Sequence, residues 1–363
     1  MNKPSAPVYY ADYLKLDTLL SSQELKSVEA GFPAHDEMLF IIVHQAYELW
    51  FKQILHEMGS VLDMFERDTV DERNIGTAVS RLQRVIEIQK LLIDQLRVLE
   101  TMTPLDFLDF RDYLFPASGF QSVQFRLVEI VFGLRSEQRL LYNQFAYHTR
   151  VSPEHQALLM RSEQRTSLFD AVERWLERTP FLDFPDFQFR QFYRHAVLAM
   201  LDADREVVST NATLSELEKK VQFEELDATE HRFAALFDAE KHEELVQAGK
   251  RRLSHKAMQA ALFIFLYRDQ PILHMPQRLL ATLIDIDELF TTWRYRHALM
   301  VHRMIGTKIG TGGSSGFHYL KSTADNHRVY TDLIDLSTYL IPRAALPRLR
   351  PDVEAQLGFQ YQS

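Results

Sequence analysis

Apolar positions along this chain recur every three or four residues, the spacing that gathers side chains on one face of a helix. In FIIVHQAYELWFKQILHE, residues 40 to 57, Phe40, His44, Tyr47, Phe51 and Leu55 share a face. A long helix from about 35 to 67 is expected there, with Glu48 and Lys52 as an i,i+4 ion pair at its margin. A second is expected from about 71 to 101, its apolar side carried by Leu82, Val85, Ile86, Leu92, Leu96 and Leu99. Thr103-Pro104 reads as a helix start, Pro116 as a stop, and Ser118-Gly119 as the turn into the next helix. Nearer the N-terminus, the aromatic segment Val8 to Leu14 precedes a short helix, for which Ser21 and Glu24 form a capping box and Gly31-Phe32-Pro33 a stop. Trp293, His297, Val301 and Met304 mark the apolar face of another helix, after a bend bracketed by Pro271 and Pro276. Tyr330 to Leu340 reads as a last amphipathic helix, stopped by Pro342. Sustained alternation is missing, and so is any Asn-Gly or Asp-Gly hairpin. The expectation is therefore an all-α protein, a single-domain helical bundle over residues 1–363.

Composition narrows the chemistry. With no cysteine among 363 residues, disulfides, thiolate nucleophiles, iron–sulfur clusters and cysteine-bound zinc or haem are excluded. A formal charge of −9 disfavours a general nucleic-acid or anionic-membrane partner. Neither a signal peptide nor a run long enough to span a bilayer is visible, which points to the cytosol. Residues 135 to 260 are charged and helical and say little about chemistry.

Three local features remain. Five of the 12 glycines (Gly306, Gly310, Gly312, Gly313 and Gly316) follow the His297 helix, a density that suits a loop closing over a ligand. Arg111 lies among Phe107, Leu108, Phe110 and Leu114, a setting in which a guanidinium needs an anion, either a local carboxylate such as Asp109 or a bound acid. His44 and His297 sit on apolar faces, whereas His302 is about 140° around the helix from His297. One such histidine is usually a satisfied core residue. Two of them, with the arginine and the glycine loop, are what a haem pocket in a helical protein needs, and periodicity does not choose which one ligates iron. Rival motifs fail. No histidine follows a glutamate by three residues, His-Glu-x-x-His is absent, and Gly312 to Gly316 matches the nucleophile-elbow pattern without the strand that elbow requires.

FIIVHQAYELWFKQILHE, FRDYLFPASGFQSVQFR, WRYRHALMVHRMIG and GTGGSSGFHYL together resemble the tryptophan 2,3-dioxygenase family, in order and spacing, from about Tyr10 to Pro342. The resemblance implies haem b, with L-tryptophan and O2 as substrates and N-formyl-L-kynurenine as product. It places the iron ligand at His297 and the histidine that hydrogen-bonds the indole N–H at His44. It makes Arg111 the partner of the substrate carboxylate and gives Thr311 a contact with the amino-acid ammonium and carboxylate. Phe40, Leu114, Ser118, Trp293, Val301, Ile309 and Gly310 match pocket or haem contacts. Tyr10, Tyr13 and Leu14, within an N-terminal arm of about residues 1–20, match residues that enter a neighbouring subunit's pocket. A cytosolic homotetramer, a dimer of dimers, is implied as well. Phe107 stands where some members carry tyrosine, which removes one hydrogen bond to the carboxylate. Two rivals stay open: a related haem oxygenase acting on another indole, and a cofactor-free helical scaffold.

Overall fold

The computed structural model describes residues 7–67, 70–140, 148, 151–179, 183–184, 187–306, 308 and 316–358. The chain is helical, in the order α1 (Tyr10–Leu14), α2 (Leu16–Leu20), α3 (Lys26–Glu29), α4 (Glu37–Phe65), α5 (Glu72–Leu99), α6 (Pro104–Arg111), α7 (Val123–Phe132), α8 (Pro153–Glu163) and α9 (Leu168–Glu177). After a hairpin of two-residue antiparallel strands, β1 (Asp183–Phe184) and β2 (Phe187–Gln188), come α10 (Phe189–Thr210), α11 (Glu216–Phe237), α12 (Ala239–Gln247), α13 (His255–Leu266), α14 (Pro271–Ile305), α15 (Gly316–Asn326), α16 (Thr331–Asp335) and α17 (Pro351–Leu357). Among the described residues, no helix is long and apolar enough to cross a membrane.

The long helices form because their apolar stripes find each other. α14, with 35 residues, is about 52 Å long at 1.5 Å per residue. It packs chiefly on α5 and α15, while α4 packs on α5 and α7. Ile54, Met58 and Val61 of α4, Leu82 and Val85 of α5, and Leu279, Leu283 and Ile286 of α14 are completely buried. Each such side chain stabilises the fold by roughly 1.5–3 kcal/mol. Helix ends follow local chemistry. Asp71 caps α5 by accepting from Arg73 N–H, and Thr103 and Asp106 form a reciprocal capping box at α6 with Pro104 in the first turn.

Several expected boundaries move. Ser21 does not cap a helix start. It ends α2, and its hydroxyl donates back to the Asp17 carbonyl at 2.6 Å. The cap of α3 comes from outside instead: buried Glu37, at the start of α4, accepts from Lys26 N–H and Ser27 N–H at 2.8 and 2.9 Å. A side chain 10 residues away cannot be anticipated from a four-residue pattern. Pro276 lies inside α14 and does not bend the chain before it, with Pro271 in the first turn. The last amphipathic stretch splits into α16 and a 3-10 turn over Leu336–Tyr339. Glu48 turns inward and makes no ion pair with Lys52 among the described residues.

One carboxylate gathers several elements at the inner wall of a cavity. Glu129 of α7, 3% exposed, accepts from Arg126 at 3.0 Å, from Arg139, and from Arg294 of α14 at 2.8 Å. The buried His327 ring stands at 3.9 Å with its Nε2 accepting from Leu140 N–H, and Arg294 also donates to the His327 carbonyl at 2.9 Å. Burial alone would push the Glu129 carboxyl up. Arg139, Arg126, the His327 hydrogen bond and Arg294 together hold it well below the ordinary 4.5. Beside it, Asp287 of α14 accepts from Val329 and Tyr330 N–H, and Arg252 donates to the Val329 and Gly133 carbonyls. The chain leaving α15 is thereby fixed to α14. Glu129→Ala leaves three guanidiniums around a missing anion, and the urea midpoint at pH 7 should report a loss of about 3–5 kcal/mol. Because the folded pKa is depressed, Glu129's contribution is complete above about pH 4.5 and drains away as pH falls toward the folded value. The parent's stability should therefore fall more steeply than the variant's below that point.

Candidate functional site

A cavity of about 290 Å³ opens between α4, α6, the turn before α7, α14 and α15. Its wall is mostly apolar and aromatic, including Phe40, Phe51, Phe107, Phe125, Trp293 and Val301. His44, Arg111 and His297 all face it. These three come from sequence positions far apart, so the cavity, and no single segment, is the unit of recognition.

His297 is placed by the helix that carries it. Trp293, one turn earlier on α14, stacks on its ring with centroids 5.2 Å apart and planes only 5° from parallel. Phe125 backs the indole at 5.0 Å, and Tyr47 and Phe51 flank it. Burial, with a smaller push from the His44 charge, lowers the His297 pKa to about 4. At neutral pH the imidazole is uncharged and carries a lone pair. His302, on the same helix, is exposed and packs on Phe317 at 4.5 Å, away from the cavity.

His44 lines the cavity from α4 while keeping access to solvent. Its Nδ1 lies 2.7 Å from the Phe40 carbonyl. A carbonyl can only accept, so Nδ1 holds the proton and Nε2 is left as an acceptor. Phe40 stacks against the ring at 4.0 Å. Burial at the wall lowers the His44 pKa, opposed by the Phe40 carbonyl and Glu48. Arg111 closes α6, and its side chain is 19% exposed. It pairs with Asp112, and not with the exposed Asp109, at a loose 3.8 Å with Asp112 itself 90% exposed. An exposed ion pair of that length contributes little.

Ser118 and Trp293 also line the cavity. Leu114 does not, and packs instead against the core from its 3-10 turn. Tyr10, Tyr13 and Leu14 of α1 are 70, 74 and 41% exposed and do not line this chain's own cavity. Ile309, Gly310 and Thr311 lie outside the described residues, as do Gly312 and Gly313. Sequence reasoning missed Glu48, Ser122 and Tyr319 as wall residues. Glu48 shares the helical face margin of His44 and could have been flagged by that spacing, whereas Ser122 and Tyr319 carried no signal.

Comparison with known proteins matches the tryptophan 2,3-dioxygenase family over residues 2–340. The chain belongs to this family. It is 50% identical over 362 residues to the tryptophan 2,3-dioxygenase of Alteromonas mediterranea, covering 100% of each chain. It is 52% identical to that of Bdellovibrio bacteriovorus, covering 98% of this chain and 99% of the relative. The Mus musculus protein of the same name is 48% identical over 344 residues, covering 94% of this chain and 84% of the relative.

The family's cofactor is haem, and the donor set fits it. Haem brings four of its own nitrogen ligands, so the protein need offer one neutral imidazole on a rigid support within an apolar wall. His297 on the Trp293 stack is such a group. Among the described residues, no cluster of three or more His, Asp or Glu could hold a bare metal ion instead. If His297 is the single protein ligand, His297→Ala should purify largely without haem and lose the Soret band, while His302→Ala should keep both. A haem-replete His297→Ala with a parental spectrum would overturn the assignment.

Proposed function

We propose that this cavity is where the chain, a haem-dependent tryptophan 2,3-dioxygenase, holds L-tryptophan for oxidation, with His297 on the iron, His44 at the indole and Arg111 at the carboxylate. The observation that carries the reading is the convergence of these three residues on one apolar cavity. Haem b supplies the O2 chemistry that inserts both oxygen atoms across the indole C2=C3 bond to give N-formyl-L-kynurenine. The protein's own contribution is orientation.

His44 presents an Nε2 lone pair, because Nδ1 is committed to the Phe40 carbonyl, and that lone pair can accept from the indole N–H. Its lowered pKa keeps it in this accepting form at neutral pH. Arg111 offers a planar fork for the carboxylate at the far end of the substrate. Phe40, Ser118, Trp293, Val301, Ile309 and Gly310 take part in the pocket or in haem contacts on this reading, and Thr311 meets the amino-acid head group. Phe107 offers the substrate a ring face and no hydroxyl, so Arg111 bears more of the carboxylate's recognition. The test is turnover. The haem-loaded parent should convert L-tryptophan to N-formyl-L-kynurenine. Arg111→Ala should weaken substrate capture by about ten- to a hundredfold, the value of a charge-assisted bidentate pair, with only partial rescue by Arg111→Lys. Unchanged capture by Arg111→Ala would send the carboxylate elsewhere.

We further infer a cytosolic homotetramer, a dimer of dimers, in which the N-terminal arm completes a neighbour's site. α1 and α2 bury no residue on their own chain, and Tyr9, Tyr10, Tyr13 and Leu20 are each at least 70% exposed. Such a cluster is costly in water unless another surface covers it. Deleting residues 1–16 should shift sedimentation toward smaller species and raise the KM for tryptophan, with haem retained through His297. A truncated tetramer with parental kinetics would sink the shared-site reading.

A further inference from the structure

The wall facing His44 is built by an irregular turn between α6 and α7. Its internal bonds are local: Ser118 accepts from Phe120 N–H at 3.4 Å, Gln121 accepts from Ser118 N–H at 3.2 Å, and Gln121 N–H donates to the Ser118 carbonyl at 2.9 Å. Those bonds shape the turn but do not place it in the molecule. Part of its placement comes from a distant carboxylate. Glu48, one helical turn beyond His44 on α4, accepts from the Ser122 hydroxyl at 2.6 Å and from the Gln124 amide at 3.0 Å. The same Gln124 amide donates its second proton to the Glu48 carbonyl at 2.8 Å. Ser122 in turn caps α7 by accepting from Phe125 N–H at 3.2 Å. Every donor in this latch is used, and two of its three bonds to Glu48 end on a charge, the stronger kind.

We propose that Glu48 is a positioning residue: it fixes the wall of Ser118, Phe120 and Ser122 against the helix bearing His44, and so sets how closely the cavity fits the ring of its substrate. The inference rests on reading the cavity as the site of tryptophan oxidation. Glu48 lines that cavity together with Ser118, Phe120 and Ser122. On the far side, the Phe120 ring meets Tyr319 of α15 edge-on at 5.3 Å, so the turn is gripped between α4 and the helix that follows the glycine-rich loop. Loosening the Glu48 side frees the wall without touching the iron ligand or Arg111. Ring fit is then lost while carboxylate capture and haem are kept.

Steady-state kinetics on the haem-loaded protein with L-tryptophan and 5-methyl-tryptophan test this. Glu48→Ala should raise the KM for L-tryptophan about tenfold, keep kcat within about twofold and the Soret band parental, and narrow the kcat/KM ratio between the two substrates. Glu48→Gln, which still offers an oxygen to Ser122, should recover most of both effects. A residue that merely stabilises the fold would lower the melting temperature and leave the substrate ratio unchanged, and that result overturns the proposal. Should Glu48→Ala fail to fold, Gln124→Ala removes two of the bonds more gently. It should raise the KM about threefold with the same narrowing, and a parental ratio there is equally fatal. A parent that makes no N-formyl-L-kynurenine overturns the functional reading and the proposal with it, whereas an active parent with an indifferent Glu48 overturns the proposal alone.

Discussion

The structure depends on a single buried anion, the Glu129 carboxylate. Three arginines from two helices and a following segment converge on it, and removing it would take away the anion they share in the interior. Arg294 is the decisive member, because it sits on α14 three residues before His297. Its two bonds, to Glu129 and to the His327 carbonyl, tie α14 both to α7 and to the segment after α15. The face of α14 that carries His297 is thereby held in place. The anchor and the aromatic group of Trp293, Phe125 and Phe51 both line the cavity.

Seen from the cavity, the site draws on long helices and on short elements. Imidazoles are carried on long helices whose neighbours are buried, whereas Arg111 and the Ser118 turn belong to short elements joined by irregular chain. The loop beyond Gly306 leaves α14 from a glycine at φ +60°, a backbone setting that favours a residue without a side-chain carbon. Beyond α15, the chain is bound by Asp287, Arg252 and Arg294.

How much of this the sequence disclosed depended on range. The two long helices, the helix start at Thr103-Pro104 and the shared face of Trp293 and His297 were legible, because each is an interaction within four residues. The family motifs supplied what periodicity could not, the choice between two histidines. Glu129 was invisible for the opposite reason: its bond to Arg294 crosses 165 residues, and nothing local marks a glutamate as the one that will be buried. Glu37 capping α3 and Glu48 holding the Ser122 turn are long-range pairings of the same sort. Pro276 misled because a proline usually interrupts a helix, yet here it sits in the second turn, where the loss is one hydrogen bond and the packing of α14 outweighs it.

The bond from His44 to the Phe40 carbonyl also bears on selectivity between heterocycles. With its proton committed to the backbone, the ring can only accept toward the cavity, so it favours a five-membered ring that carries N–H over one with oxygen or sulfur in that place. A fully enclosed acceptor left without its donor would reject such an analogue by about 10⁴-fold or more. The discrimination at this cavity should be at least that of one exchanged hydrogen bond, about 0.5–1.5 kcal/mol or two- to twelvefold.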